Sequence, residues 1–141
     1  MKISILLPYK ENFSPIYAGA VSLFIKDTVK LSRYKKDIIV YGNTDLKNIY
    51  KLRYKNIKLN KNIIQSGSKS YVKEFLKYEK ITPSDLIEIH NRPNYFHLIH
   101  KKKNNQKIVL YFHNDPLTMT GSRSYWVTYS VISHFTTKTI A

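Results

Sequence analysis

The chain opens on a short apolar run, residues 3–7, interrupted only by Ser4 and stopped by Pro8. A run of that length without polar alternation predicts a strand buried on both faces of a parallel sheet. After a polar loop, Ser14 and Pro15 read as an N-cap and a first helical position. Behind them Val21, Phe24, Ile25, Thr28, Val29 and Ser32 recur at spacings of three and four, with Lys26, Lys30 and Arg33 opposite. That spacing predicts an amphipathic helix with the first set inward. Asp37-Ile38-Ile39-Val40-Tyr41 predicts a second buried strand, closed by Gly42 and Asn43. Residues 43–62 are polar and Lys-rich, with a weak strand candidate in Ile57-Lys58-Leu59. After the Ser66-Gly67-Ser68 loop, a second helix from Ser70 places Val72, Phe75, Leu76 and Ile81 inward and ends at Thr82-Pro83. Residues 85–90 predict a strand, 95–103 a short helix and 107–112 another strand. The alternation predicts an α/β fold: a Rossmann-like parallel sheet with flanking helices, built of right-handed crossovers and without internal repeats.

Composition narrows the class. A length of 141 residues with 43% hydrophobic and 23% charged positions is globular and excludes disorder and collagen-like structure. Lys plus Arg number 24 against 9 Asp plus Glu, a formal charge of +15, which points first to a polyanion. The cations are 20 Lys and only 4 Arg, however, beside 17 Ile, 11 Asn and 3 Ala. Those are the preferences of A/T-rich codons, so base composition competes with function as the source of the charge. With no cysteine there are no disulfides, thiolate nucleophiles or Cys-built zinc sites. The N-terminal apolar run is too short for a signal peptide and no stretch is long enough to span a membrane, so the expected location is cytoplasmic. Residues 125–141 depart from the rest, with a single charged residue, Lys138, and six Ser or Thr. The tail is either an edge strand of unusual composition or the product of a frame change near Ser124, which sets the expected domain at 1–124.

In an open parallel sheet, ligands bind beyond the carboxyl ends of the strands. Three such ends carry polar clusters: Pro8-Tyr9-Lys10-Glu11-Asn12, followed by Ala18-Gly19-Ala20; His90-Asn91-Arg92-Pro93; and His113-Asn114-Asp115-Pro116. Any one of them is ordinary turn chemistry, because Asn and Asp fold onto the backbone and Pro fixes φ. Three at one edge, two of them introduced by a histidine, favour a site. His97 and His100 lie three apart on the short helix, but no Cys or carboxylate stands at ligand spacing, so no metal is expected. A dinucleotide fingerprint, a P-loop and a Gly-x-Ser-x-Gly elbow are all absent. Lys101-Lys102-Lys103 suits a solvated helix end, with a phosphate or lipid headgroup as the second reading.

The order of Lys2-Ile3-Ser4-Ile5-Leu6-Leu7-Pro8, Ala18-Gly19-Ala20, Asp37-Ile38-Ile39-Val40-Tyr41-Gly42, Asp85-Leu86-Ile87-Glu88-Ile89-His90-Asn91-Arg92-Pro93 and Ile108-Val109-Leu110-Tyr111-Phe112-His113-Asn114 resembles the N-terminal, acceptor-side domain of family 4 glycosyltransferases. These enzymes have the two-domain GT-B fold. Within the family the chain is most similar to enzymes that build lipopolysaccharide core and surface polysaccharide. The resemblance implies transfer from a nucleotide-sugar donor to a glycan or lipid-linked acceptor, without a cofactor or metal. It implies that Gly19, with Ala18 in place of the family's second glycine, lies near the donor diphosphate. It assigns His113 to the reacting centre. Tyr9, Lys10, Glu11, Asn12, His90, Asn91, Arg92, Asn114 and Asp115 would line the acceptor side, with the planar fork of Arg92 suited to a phosphate or carboxylate. Nothing here matches the glutamate-bearing donor motif of the family's C-terminal domain, so the chain alone is expected to be inactive. The resemblance also implies work at the inner membrane face, where anionic lipid would be a partner. The competing classes are a basic nucleic-acid-binding module and a peripheral membrane-binding α/β module. Scattered Lys, scarce Arg and the lack of helix-turn-helix, KH or RNA-recognition motifs speak against nucleic acid.

Overall fold

The computed structural model describes residues 1–59, 67–102 and 106–113. Among these residues five strands and three helices follow one another as β1 (Ile3–Leu6), α1 (Ala20–Leu31), β2 (Ile38–Gly42), β3 (Tyr54–Asn56), α2 (Gly67–Ile81), β4 (Leu86–His90), α3 (Pro93–His100) and β5 (Lys107–Tyr111). All strand pairs are parallel, in the spatial order β3-β2-β1-β4-β5. The expected α/β Rossmann-like arrangement is present.

Both faces of the central strand are buried: its residues are apolar except Ser4, which finds a polar partner on the α2 face. Ile3, Ile5 and the following Leu7 pack with Ile38 and Val40 against Val21, Ile25 and Val29 of α1. Leu6, Tyr41, Ile87 and Ile89 point the other way, onto Tyr71, Val72 and Phe75 of α2 and Tyr95, Phe96 and Ile99 of α3. The period of two thus divides one sheet between two cores. On the α2 face a polar pin replaces an apolar contact. Glu79 is fully buried and accepts hydrogen bonds from Ser4 Oγ (2.6 Å), from Ser84 N (3.0 Å) and Oγ (2.9 Å), and from Gln106 Nε2 (3.0 Å). These partners flank the amino ends of β1, β4 and β5, so the pin closes the edge opposite the polar loops.

Several boundaries differ from the sequence expectation. Ser14-Pro15 does not start α1, which begins at Ala20 behind Gly19. Ser14 is buried and its Oγ accepts from Ile16 N (3.1 Å), so the pair makes a local turn instead. The third strand is Tyr54–Asn56, not Ile57-Lys58-Leu59. Ile57 is buried at the end of that strand, with its N–H bound to Gly42 O (2.7 Å). The second helix starts at Gly67, ahead of Ser70, and α3 starts at Pro93, ahead of Tyr95. Three residues expected inward point outward: Phe24, 41% exposed, Thr28, and Ile81 on the last turn of α2, 80% exposed. The expectations for Lys103, Asn114, Asp115 and the 125–141 tail lie outside the described residues.

What positions a site is the order of the strands. From β1 the chain passes through α1 to β2 on one side; from β4 it passes through α3 to β5 on the other. The two helices lie on opposite faces. The loops after β1 and β4 therefore part, opening a crevice over the carboxyl ends of neighbouring strands.

Candidate functional site

The carboxyl edge is shaped by three residues with positive φ: Lys10 (63°), Tyr17 (56°) and Asn91 (50°). Such angles are uncommon outside glycine and gather where a loop must turn sharply. Asn91 tolerates the conformation best and uses it to join two strand ends. Its N–H donates to Tyr111 O (2.8 Å), and its side-chain oxygen accepts from His113 N (2.8 Å). The end of β4 thereby sets the backbone of the residue that follows β5.

The side chains continue that link. His90, fully buried, places Nδ1 2.7 Å from His113 Nε2 and Nε2 2.7 Å from Glu88 Oε1. Glu88 and His90 lie two apart on β4, so both project on the face that α1 shares. Aromatic rings brace the chain of contacts. His90 lies flat on Tyr111, with ring centres 5.1 Å apart, and Phe24 of α1 meets His113 edge-on at 4.8 Å. The outward turn of Phe24 is explained here: it covers the histidines, not the apolar core. Burial pushes the His113 imidazole below its ordinary pKa, and the neighbouring His90 adds to this, while the Glu11 and Glu88 carboxylates oppose it. Burial thus favours the neutral form of the His113 ring. A cavity of about 170 Å³ between α1 and the sheet, lined by Ile5, Phe24, Thr28, Glu88 and Tyr111 among others, runs up to this cluster.

Across the crevice, the loop after β1 folds back on the start of α1. Glu11 Oε1 accepts from Ser22 N (3.1 Å), placing a carboxylate against the first turn of the helix, where the backbone N–H groups are unsatisfied. Gly19 makes room for it, since a Cβ there would stand 2.0 Å from Glu11 Oε1. The glycine expected beside a diphosphate therefore faces the protein's own carboxylate, with half-exposed Ala18 next to it.

Of the residues expected at the site, Glu11, Gly19, His90, Asn91 and His113 come together at this edge, with Lys10 and Arg92 exposed on its rim. Arg92 Nη1 bonds Asn91 O (2.8 Å), which leaves its fork at the surface. Tyr9 and Asn12 have structural partners. The Tyr9 ring packs on Tyr71 and its N–H donates to Tyr95 Oη (2.9 Å). Asn12 Oδ1 accepts from Thr44 Oγ1 (3.0 Å), tying the loop to the exit of β2. Glu88, Phe24 and Tyr111 were not expected at the site. The available signal was the carboxylate of Glu88 alternating with isoleucines in an otherwise apolar strand, two residues before a histidine.

Among the described residues no group of three or more His, Asp or Glu is placed to hold a metal ion. No helix among them is long and apolar enough to cross a membrane. No protein-family model matches the chain, and no curated protein matches it.

Proposed function

We propose that the chain is the acceptor-side part of a glycosyltransferase of the GT-B type, moving a sugar from a nucleotide-sugar donor to a glycan or lipid-linked acceptor in surface-polysaccharide synthesis. The observation that carries this reading is the placement of His113. It lies at the carboxyl edge of β5, backed by His90 and Glu88, beside the crevice over β1 and β4, and burial favours its neutral form. A neutral histidine suits hydrogen bonding to sugar hydroxyls, and the adjoining Asn91 and Glu11 add acceptors. Arg92 on the rim supplies a planar fork for an acceptor phosphate or carboxylate. The sugar-transfer step needs the departing diphosphate stabilised and water excluded. In enzymes this chain resembles, a second domain does the former.

The chain alone is therefore expected to bind sugar without turning it over. Titrating it with millimolar oligosaccharides and nucleotide sugars should move the amide NMR signals of Asn91, Arg92 and His113. His113→Ala should weaken that binding about tenfold, which corresponds to ~1.4 kcal/mol. The reading is wrong if no sugar moves these signals, or if the purified chain transfers sugar unaided.

A further inference from the structure

We infer that Glu88 and His90 form a positioning relay that fixes the tautomer of His113, so that His113 meets its ligand with a bare Nδ1 and selects a hydroxyl group that donates to it. The ligand class, a sugar hydroxyl with its proton directed at the ring, rests on the glycosyltransferase reading of the same site; the relay itself does not.

An ionised carboxyl group only accepts hydrogen bonds, so the His90 nitrogen 2.7 Å from Glu88 Oε1, Nε2, carries the proton. A neutral imidazole has one N–H, which leaves His90 Nδ1 as an acceptor. Its partner at 2.7 Å, His113 Nε2, then supplies the proton of that bond. His113 Nδ1 remains with its lone pair and, among the described residues, without a partner. Both rings are held in plane for this exchange by Tyr111 stacked on His90 and Phe24 set against His113. Among the described residues the titratable groups facing His113 are His90 and Glu88 from β4 and Glu11 from the loop before α1. None of these side chains is itself required to touch the ligand. Glu88 acts through His90, and His90 through His113.

Long-range proton–nitrogen NMR of the 141-residue chain, without any ligand, reads which ring nitrogen is protonated. Near neutral pH the expected result is Nε2–H on both His90 and His113, with a pyridine-type Nδ1 on each. Glu88→Ala with amide dispersion intact should unlock the pair and give averaged tautomers. Glu88→Gln, whose side-chain oxygen accepts the same bond, should preserve them. A proton on Nδ1 of His113 in the unaltered chain, unchanged tautomers in folded Glu88→Ala, or averaged tautomers in Glu88→Gln would each overturn the relay. If the alanine variant does not fold, the unaltered spectrum still decides. Because the tautomer is read without sugar, failure of the relay and failure of sugar binding are separate outcomes.

Discussion

Gly19 has φ −76°, an angle open to any residue, so its backbone does not demand glycine. What demands it is the Glu11 carboxylate, 2.0 Å from where a Cβ would stand. The two residues form one device: a carboxylate drawn from eight positions upstream to the first turn of α1, and a missing side chain that lets it in. Gly19→Ala should push Glu11 away and lose the stabilisation of a helix start, about 1–2 kcal/mol. Glu11→Ala should lose a similar amount through the same contact. Combined, the two should cost clearly less than their sum, because neighbours that share one interaction are not additive. Urea denaturation of the two single variants and the double variant measures this. Additive losses would mean that Gly19 and Glu11 act independently.

At the scale of elements, α2 is held in two ways that sequence periodicity weighs unequally. Its apolar stripe, Val72 and Phe75, was readable from spacing alone. Glu79, on the same buried face, was not, since a carboxylate one turn before a helix end ordinarily faces water. Two of its partners, Ser4 and Gln106, are distant in sequence and meet it only once the sheet has formed, while Ser84 lies five residues on, past the helix end. Glu79→Ala leaves the buried Ser4 hydroxyl and the Ser84 N–H and hydroxyl without this acceptor and should destabilise the fold by on the order of 3 kcal/mol. Ser84→Ala, which removes one donor and leaves the acceptor its other partners, should cost less; thermal unfolding of both variants orders them. The same contrast separates what could be read early from what could not. The apolar runs of β1, β2, β4 and β5 mark four of the five strands, and their order along the chain is as expected. The edge strand Tyr54–Asn56 has no apolar run to mark it, unlike the opposite edge β5, and its Lys55 lies over the Tyr78 ring of α2. The start of α1 was misplaced because Ser14-Pro15 carries the local cap signal while the group at the helix start, Glu11, sits outside any local window. For the site, the polar loops marked the correct edge. Glu88 and Phe24 were hidden by belonging, in pattern, to a strand and a core stripe.

At the scale of the whole molecule the charge is the remaining feature. The formal +15 is spread over the structure, with exposed lysines on α1, on α2, in the β2–β3 connection, after α3 and on β5. A dispersed charge of this kind acts as a field rather than a site. Near anionic lipid, each lysine close to the surface gains ~1 kcal/mol, and the gain fades within a Debye length, about 10 Å at 0.1 M salt and about 3 Å at 1 M. The chain should therefore sediment with phosphatidylserine-containing vesicles at low ionic strength, ignore neutral vesicles, and detach as salt approaches 1 M. Reversing one exposed cation, as in Lys101→Glu, should weaken this only slightly, since no single position carries the field. Arg92→Ala should likewise leave it nearly intact while reducing acceptor binding, because Arg92 is proposed to act by its fork and not by its share of the net charge. Binding that survives high salt, or that one substitution abolishes, would instead mean a localised lipid site. The first result would place the molecule at an anionic surface by its average composition, and leave recognition to the crevice above β1 and β4.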